Sequence, residues 1–184
     1  MSGGITKIPT SLFGAFILEP RVFHDERGFF FESYNQRVMA GAGIVDNFVQ
    51  DNHSCSSRNV LRGLHYQVNH PQGKLVRVVE GEILDVAVDL RRSSLTFGRC
   101  ECVRLSGENN RMFWIPTGFA HGFLVLSEKA QVLYKATDFY APEYERTLAW
   151  NDRQVNIDWP VNDRPIISAK DQRGVALADA ETFE

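Results

Sequence analysis

Two short stretches of the sequence place histidines in settings that favour proton chemistry. Residues 62–67 (RGLHYQ) put Arg62 and His65 at the edge of a predicted buried strand, so that a guanidinium and an imidazole can serve one pocket. Residues 114–123 (WIPTGFAHGF) set His121 among apolar residues and glycines, which leave it few uses other than packing or catalysis. Because an imidazole titrates near neutral pH, either histidine can accept or return a proton. The two stretches therefore predict a catalytic pocket inside a barrel.

The length and composition of the chain predict one globular domain. Its 184 residues, 43% of them hydrophobic, are enough for a single domain over residues 1–184 with a sizeable core. A net charge of -3 argues against a nucleic-acid-binding surface. No apolar run reaches the ~18 residues of a membrane span, and no basic stretch leads into an apolar one at the N-terminus. We therefore expect a cytoplasmic protein with neither a nucleic-acid nor a membrane partner.

The cysteines predict packing residues and no metal or redox motif. Cys100 and Cys102 lie two positions apart on a predicted strand, a spacing that matches neither a zinc knuckle nor a redox pair. We expect all three cysteines to stay reduced.

Apolar residues recur with a period of two along most of the chain, which is typical of β-strands. Strands are predicted over residues 16–20, 29–34, 76–79, 83–90, 100–105 and 131–136. Turn residues at 80–82 and 106–110 separate neighbouring strands in the manner of hairpins, and helical periodicity is limited to residues 35–40 and the tail after Asp171. Many short strands with little room for crossover helices predict an all-β fold, a jelly-roll barrel or sandwich with a few short helices.

Six blocks of sequence, in order along the chain, resemble a known family. They are residues 23–32, 49–54, 60–67, 73–77, 114–123 and 168–171. With these blocks the chain resembles the dTDP-4-dehydrorhamnose 3,5-epimerases, cupin-fold enzymes of the dTDP-L-rhamnose pathway, over nearly its whole length. The resemblance implies a cupin-type jelly roll that epimerises C3 and C5 of dTDP-4-dehydro-6-deoxy-D-glucose to give dTDP-4-dehydro-L-rhamnose. It also implies a homodimer in which N-terminal strands of one subunit complete the sheet of its partner and contribute to its site.

The reaction implied by the resemblance requires a base, a group that stabilises an enolate, and an acid on the opposite face of the sugar. The resemblance assigns His65 as the base and Asp171 as its carboxylate partner. It assigns Tyr134 as the proton donor and places Lys74 near the keto oxygen. Without the resemblance, His65 would fit an ordinary core or surface histidine, Tyr134 a packed strand tyrosine and Lys74 a turn lysine.

The remaining predicted contacts bind the nucleotide and the sugar. A guanidinium holds phosphate oxygens through paired hydrogen bonds, so Arg62 and Arg27 are expected to bind the diphosphate. The resemblance adds substrate-contact positions, which are Glu32, Gln50, Asp51, Asn52, Lys74, His121, Tyr140, Glu145 and Lys170. Glu143 lies two residues before Glu145, so the sequence does not decide which of the two acids contacts the substrate. Phe139 would point away from Tyr140 on a strand, so we expect one of the two to belong to the core.

Other functions remain open on the sequence alone. His53, His65, His70 and His121 make a metal-dependent cupin the main competing class, but Gln67 stands where such a cupin has the second histidine of a His-x-His pair. No glycine-rich fingerprint for a dinucleotide is present, so we expect neither a metal nor another cofactor. A single-site epimerase or ketoisomerase acting on a related dTDP-4-keto sugar would use a similar pocket. A non-catalytic sugar-nucleotide-binding barrel is disfavoured by the pairing of a base with an acid.

Overall fold

Strands dominate the structure, as the period-two pattern predicts. The computed structural model of the chain describes residues 4–161 and 164–184. Its strands are β1 (Ile5–Pro9), β2 (Phe16–Pro20), β3 (Phe23–Asp25), β4 (Gly28–Phe30), β5 (Gln50–Ser57), β6 (Val60–Gln67), β7 (Lys74–Glu80), β8 (Glu82–Asp89), β9 (Cys100–Ser106), β10 (Met112–Ile115), β11 (Phe119–Val125), β12 (Lys129–Ala136), β13 (Glu145–Thr147) and β14 (Ile166–Ile167). An α-helix, α1 (Gln36–Ala42), and short 3-10 turns at Pro142–Tyr144, Asp171–Arg173 and Leu177–Asp179 accompany them. No helix within residues 4–161 and 164–184 is long and apolar enough to cross a membrane.

The strands form two facing sheets and one small hairpin. The first sheet has the order β1-β2-β10-β7-β12-β5, and the second has the order β13-β6-β11-β8-β9 with β14 added beside β6. β3 and β4 form a separate two-stranded sheet. The named strands pair antiparallel, except that β14 runs parallel to β6. The chain passes back and forth between the two layers, so the predicted all-β jelly roll is confirmed.

The two predicted hairpin turns are turns, but they do not join paired strands. Gly81 leads from β7 in the first sheet to β8 in the second, and residues 107–111 lead from β9 in the second sheet to β10 in the first. The hairpin interpretation of residues 80–82 and 106–110 was therefore wrong. Alternating apolar residues identify a strand but do not identify its partner, and in a jelly roll successive strands often lie in opposite sheets.

The aromatic stretch at residues 29–34 is a strand only at its start. β4 ends at Phe30 and pairs with β3, and both Phe29 and Phe30 are exposed. Phe31 instead packs against an apolar cluster on the first sheet. The predicted strand was therefore wrong beyond Phe30, because three successive aromatic rings show no alternation from which a strand face could be read.

Apolar side chains pack in three layers around the two sheets. The central cluster lies between the sheets and includes Phe113 and Phe123. A second cluster packs the C-terminal part of the chain onto the second sheet and includes Tyr66 and Trp159. A third cluster packs α1 onto the first sheet. The helix predicted near residues 35–40 therefore exists, and it covers an apolar sheet face.

Side chains that face the central cluster recur at every second residue, and at one end of the sandwich these inward rows become polar. On β12, Tyr134 continues the row of Val132, and on β7, Lys74 extends the row of Val76. On β11, His121 lies in the row of the buried aromatic residues. The apolar core therefore determines the direction in which the polar side chains point.

A bulge in β6 brings Arg62 and His65 to the same side of the second sheet. Their odd spacing along a regular strand would send them to opposite faces. In the β11 pairing, His121 lies opposite His65 and Phe123 opposite Arg62, so three steps along β6 match two steps along β11. The extra residue reverses the alternation at this point. Both Arg62 and His65 line one cavity between the sheets, as the sequence predicts.

Replacing Gly63 by alanine tests this bulge. Gly63 has a φ of +116°, and a Cβ there would lie 2.6 Å from the Gly122 Cα and 2.7 Å from the His121 carbonyl oxygen. We expect Gly63→Ala to lower the free energy of unfolding by about 2 kcal/mol or more, from backbone strain and overpacking. Chemical denaturation measures the change. As a control, Gly41→Ala in α1 places its Cβ in open space and should raise stability by roughly 0.5 kcal/mol. Equal stability of Gly63→Ala and the wild type would contradict the tight contact at the bulge.

Candidate active site

The polar end of the sandwich contains a cleft. Its larger part has a volume of about 500 Å³ and is lined by residues of both sheets and of the segment that includes Asp171. A smaller part, of about 70 Å³, adjoins it beside Tyr140. Since His65, Lys74 and Tyr134 line both parts, the two form one continuous site.

A buried carboxylate holds His65 at the centre of the cleft. His65 Nε2 lies 2.7 Å from Asp171 Oδ1, and Asp171 Oδ2 accepts a 3.2 Å hydrogen bond from the Gly63 backbone N–H. Burial opposes ionisation of Asp171, but the hydrogen bond and charge of His65, with further hydrogen bonds, outweigh it and hold the pKa of this carboxyl below its usual range. The ionised carboxylate accepts the Nε2 proton, which leaves a lone pair on Nδ1. Nδ1 is therefore the atom of His65 that can take a proton from a ligand.

Tyr134 stands on the opposite wall of the cleft from His65. It belongs to β12 in the first sheet, whereas His65 belongs to β6 in the second. Its ring packs edge-on against the His121 ring, with 6.4 Å between the ring centroids. Burial raises the pKa of the Tyr134 phenol, so the hydroxyl keeps its proton at neutral pH and can donate it.

The floor of the cleft holds a buried cation and a second pairing of histidine with aspartate. Lys74 is 8% exposed, and its ammonium donates to the His65 carbonyl oxygen at 3.4 Å. Burial lowers the pKa of Lys74 to about 8, although the charges of Glu145 and Asp85 oppose the shift. His121 Nε2 lies 2.8 Å from Asp85 Oδ1, and burial lowers the pKa of His121. At neutral pH this group therefore combines the Lys74 ammonium with an uncharged His121 imidazole.

Cations and an aromatic ring surround the outer part of the cleft. Arg62 donates from Nε to Ser56 Oγ at 3.0 Å, which uses one of its five N–H donors. Lys170 Nζ lies 2.5 Å from Glu145 Oε2, and the Tyr140 hydroxyl donates to the same oxygen at 2.7 Å. The Tyr140 side chain is half exposed. Two cations and a flat ring can together hold an anionic ligand that carries an aromatic group.

The structure answers two questions that the sequence left open: which of two glutamates lines the cleft, and whether one of two neighbouring aromatic residues belongs to the core. Glu145 lines the cleft, whereas Glu143 lines a different hollow. The expectation that either Phe139 or Tyr140 belongs to the core was wrong, because both are exposed. β12 ends at Ala136, so strand alternation does not extend to these residues.

Five of the predicted contact residues are not among the described residues that line the cleft, namely Arg27, Glu32, Gln50, Asp51 and Asn52. Three of them have partners elsewhere. Arg27 follows β3 at an exposed turn and pairs with Asp25 at 2.5 Å. Glu32 accepts a hydrogen bond from the side chain that caps α1. Asp51 pairs with Lys135, which points away from the cleft because it follows Tyr134 on the same strand. One chain by itself does not bring these three side chains to the site.

Gln50 and Asn52 lie on β5 at the rim of the site. Gln50 Oε1 accepts a 2.9 Å hydrogen bond from the backbone N–H of Tyr140, and Gln50 Nε2 donates to Asn52 Oδ1 at 3.0 Å. Asn52 Nδ2 is buried without a hydrogen-bond partner among the described residues. Gln50 therefore supports Tyr140, and Asn52 has one buried donor that is unpaired in the described residues.

Two residues of the site escaped prediction. Asp85 is fully buried, and its Oδ2 has no hydrogen-bond partner in residues 4–161 and 164–184. The signal was present, because a carboxylate at an inward position of an apolar strand requires a buried partner. Ser56, which receives the Arg62 hydrogen bond, carries no comparable signal in its surroundings.

The arrangement suits removal of a proton beside a carbonyl and its return from the other side. A proton acceptor and a proton donor face each other across the cleft, and an ammonium between them can stabilise a negatively charged oxygen. No group of three or more His, Cys, Asp or Glu side chains in the described residues is arranged to hold a metal ion. Independence from metals and other cofactors stays a prediction.

Comparisons with known proteins point to the same chemistry. Residues 9–179 match the family model for dTDP-4-dehydrorhamnose 3,5-epimerase. A relative of that name from Pseudomonas aeruginosa is 62% identical over 168 residues, which cover 91% of this chain and 93% of the relative. The crystal structure of a dTDP-6-deoxy-D-glucose-3,5-epimerase from Legionella pneumophila, in complex with dTDP-4-keto-L-rhamnose, has a TM-score of 0.93 and 50% identity and covers 96% of this chain and 95% of that one. A 3'-monoepimerase from Streptomyces bikiniensis, in complex with dTDP-quinovose, has a TM-score of 0.87 and 33% identity and covers 93% of this chain and 87% of that one.

The charge of Glu145 should support the ammonium of Lys74. We expect the Lys74 pKa to be about 8 in the wild type and to fall further in Glu145→Gln. The substitution removes the carboxylate that raises the Lys74 pKa more than Asp85 does. NMR titration of protein labelled with ¹³C-lysine measures both values, and the spectrum of Lys74→Gln assigns the resonance. Lys129, whose pKa is raised by Glu80 on the surface, should titrate identically in both proteins. A Lys74 that titrates near the usual 10.5 would contradict its burial.

Proposed function

This chain belongs to the dTDP-4-dehydrorhamnose 3,5-epimerase family, and we propose that it inverts C3 and C5 of dTDP-4-dehydro-6-deoxy-D-glucose to give dTDP-4-dehydro-L-rhamnose. The observation that carries the proposal is the pairing of His65 and Asp171 on one wall of the cleft with Tyr134 on the other. Both carbons flank the C4 carbonyl, so removal of a proton from either gives an enolate. One constellation can therefore serve both inversions.

His65 is the base in this proposal. Nδ1 takes the proton from the carbon, and the electron pair of the broken C–H bond moves to the C4 oxygen. Asp171 stabilises the imidazolium that forms and keeps the ring in the orientation that leaves Nδ1 free, as the carboxylate does in a Ser-His-Asp triad. The buried Lys74 ammonium offsets the charge on the enolate oxygen, in surroundings where a fixed cation is worth more than in water.

Tyr134 is the acid. Its hydroxyl delivers a proton to the carbon from the wall opposite His65, and the enolate collapses back to the ketone with inverted configuration. The Tyr134 phenolate and the His65 imidazolium then return to their starting states by exchange with solvent, so no net proton is consumed. Because burial raises the pKa of Tyr134, the phenol is fully protonated before each turnover.

The nucleotide part of the substrate is bound at the outer part of the cleft. Arg62 and Lys170 hold the diphosphate, and the half-exposed Tyr140 ring offers its face to the thymine base. His121, with its Nε2 bound to Asp85, can accept a hydrogen bond from a sugar hydroxyl at Nδ1.

A homodimer would bring Arg27 and Glu32, which lie outside the cleft of their own chain, to the site of the partner. Arg27 lies at the tip of the hairpin formed by β3 and β4, where Phe29 and Phe30 are also exposed. Large exposed aromatic side chains that are contiguous in the chain are typical of an interface. We propose that this segment of one subunit packs on its partner by strand exchange and supplies Arg27 and Glu32 to the partner's cleft.

The proposed setting is that of a biosynthetic enzyme in the cytoplasm. Cys55, Cys100 and Cys102 are free thiols, which agrees with a reducing compartment. Cys55 and Cys102 are exposed, so the prediction that the cysteines are packing residues was wrong for these two. We propose that residues 1–184 act as one cupin-like epimerase domain that needs no cofactor and has neither a nucleic-acid nor a membrane partner.

A single-site epimerase is the second candidate, since the 3'-monoepimerase from Streptomyces bikiniensis shares the fold. Its 33% identity is well below the 62% of the Pseudomonas aeruginosa relative, which favours inversion of both carbons. A metal-dependent cupin is less favoured, because the Gln67 side chain that replaces a metal-ligating histidine is bound to backbone groups.

Incubation of the enzyme with dTDP-4-dehydro-6-deoxy-D-glucose in deuterated water tests the function. Proton NMR of the product should show deuterium at both C3 and C5 with the L-rhamno configuration, and deuterium at one carbon alone would favour the single-site epimerase. His65→Asn should abolish exchange at both carbons, a loss of roughly a hundredfold or more for removal of the base.

The matched control for this test is His53→Asn. His53 is an exposed histidine that binds Gln131 on the first sheet, and its loss should leave turnover unchanged. Exchange at a near wild-type rate in folded His65→Asn would exclude His65 as the base.

A further inference from the structure

Gln67 has no part in the proposed proton transfer, yet its side chain is buried beside the reacting groups. It ends β6, two residues after His65 and on the same face, and is 4% exposed. A buried carboxamide destabilises a fold unless its donors and acceptor are hydrogen-bonded. The partners of Gln67 therefore indicate its role.

The carboxamide of Gln67 binds the peptide groups on both sides of Tyr140. Its Nε2 donates to the Phe139 carbonyl oxygen at 3.2 Å, which belongs to the peptide group before Tyr140. Its Oε1 accepts from the Ala141 backbone N–H at 2.9 Å, which belongs to the peptide group after Tyr140. Nε2 also donates to the His70 carbonyl oxygen at 2.6 Å. Two of these three hydrogen bonds restrain the backbone of a single residue.

Tyr140 requires such a restraint because regular structure does not hold it. β12 ends at Ala136, and Tyr140 is 53% exposed. A half-exposed side chain on an irregular segment gives up conformational entropy when a ligand orders it. A backbone fixed beforehand reduces that loss and strengthens binding.

The restraint extends from Tyr140 to the charged groups beside it. The Tyr140 hydroxyl donates to Glu145 Oε2, and Lys170 pairs with the same oxygen. The backbone of Gln67 also pairs with Glu145, since β13 lies beside β6 in this register. Gln67 thus contacts the segment that contains the 3-10 turn Pro142–Tyr144 on both sides of that turn. Its side chain binds the residues before the turn, and its backbone pairs with Glu145 after it.

We propose that Gln67 is a positioning residue that holds Tyr140 in the orientation that binds the nucleotide part of the substrate. The inference rests on the proposed function, because it identifies the bound group as a thymidine diphosphate. Gln67 makes no hydrogen bond to His65 or Tyr134 in the described part of the chain, so its effect falls on binding and leaves proton transfer intact.

The test compares Gln67→Leu with Gln72→Leu. Gln72 is the matched control, because it lines the same part of the cleft and also donates from Nε2 to this segment, at 2.8 Å to the Asp138 carbonyl oxygen, without binding either peptide group of Tyr140. Calorimetry with dTDP measures binding, and steady-state kinetics separates KM from kcat. Gln67→Leu should weaken dTDP binding and raise KM by about tenfold or more, the size expected for a displaced binding group, with kcat near the wild-type value. Gln72→Leu should weaken dTDP binding clearly less than Gln67→Leu does, because it leaves both peptide groups of Tyr140 bound.

A double-mutant cycle with Tyr140→Ala separates positioning from a general structural role. If Gln67 acts through Tyr140, Gln67→Leu should have little further effect on dTDP binding once the tyrosine is absent. Should Gln67→Leu not fold, Gln67→Glu replaces it, because it keeps the acceptor for the Ala141 N–H and loses both donated hydrogen bonds.

Three results would overturn the proposal, and they are distinct. Folded Gln67→Leu or Gln67→Glu that binds dTDP as tightly as the wild type would exclude a positioning role. Equal losses of affinity with and without Tyr140, or a fall in kcat at constant KM, would show that Gln67 acts by another route. A wild type that does not bind dTDP at all would refute the proposed function together with this inference.

Discussion

Buried charge at one end of an apolar sandwich is the constraint on which the rest of the site depends. Lys74, Asp85 and Asp171 are at most 8% exposed, and an unpaired charge in such a place costs several kcal/mol. The structure pairs the two aspartates, with Asp171 bound to His65 and Asp85 bound to His121. Lys74 instead donates to the His65 carbonyl oxygen, and burial lowers its pKa to about 8. The pairing of Asp171 with His65 determines which nitrogen of neutral His65 carries the proton. The ionised Asp171 accepts a hydrogen bond from Nε2, so the lone pair that can act as a base is on Nδ1.

The two-sheet architecture separates the groups that must act from opposite sides. Facing sheets pack about 10 Å apart, a gap that interdigitated side chains fill in the core. Where the inward rows become polar, the gap widens into the cleft, and a sugar ring can lie between β6 on one side and β12 on the other. In the proposed mechanism, proton removal and proton return on opposite faces of the sugar follow from the placement of His65 and Tyr134 on different sheets.

The three central side chains of the site differ in how far the sequence pattern predicts them. His65, Lys74 and Tyr134 line one cleft, but only Tyr134 lies within a strand that alternation predicts. His65 lies beside the bulge of β6, and Lys74 begins β7 two residues before the predicted strand. The bulge that turns Arg62 into the same cavity could not be predicted from alternation, although Gly63 marks the place where a side chain would not fit.

Partners in space were harder to predict than strands. The turn at Gly81 joins different sheets, and nothing in a strand's own sequence identifies its neighbour. Arg27 and Glu32 belong to matching blocks but lie outside the cleft of their own chain, so their proposed role depends on a second subunit. Asp85 was recognisable as a charge within an apolar strand, and its partner His121 emerged only from the pairing of β8 with β11.

The measurement that most directly tests two-sided proton transfer is proton NMR of the sugar nucleotide after incubation with Tyr134→Phe in deuterated water. This substitution keeps the aromatic ring and removes the hydroxyl, so His65 can still take a proton and return it only to the face from which it came. We predict that deuterium enters at C3 or C5 with retained configuration while inversion is lost. Inversion of both carbons at the wild-type rate by Tyr134→Phe would contradict the assignment of Tyr134 as the acid.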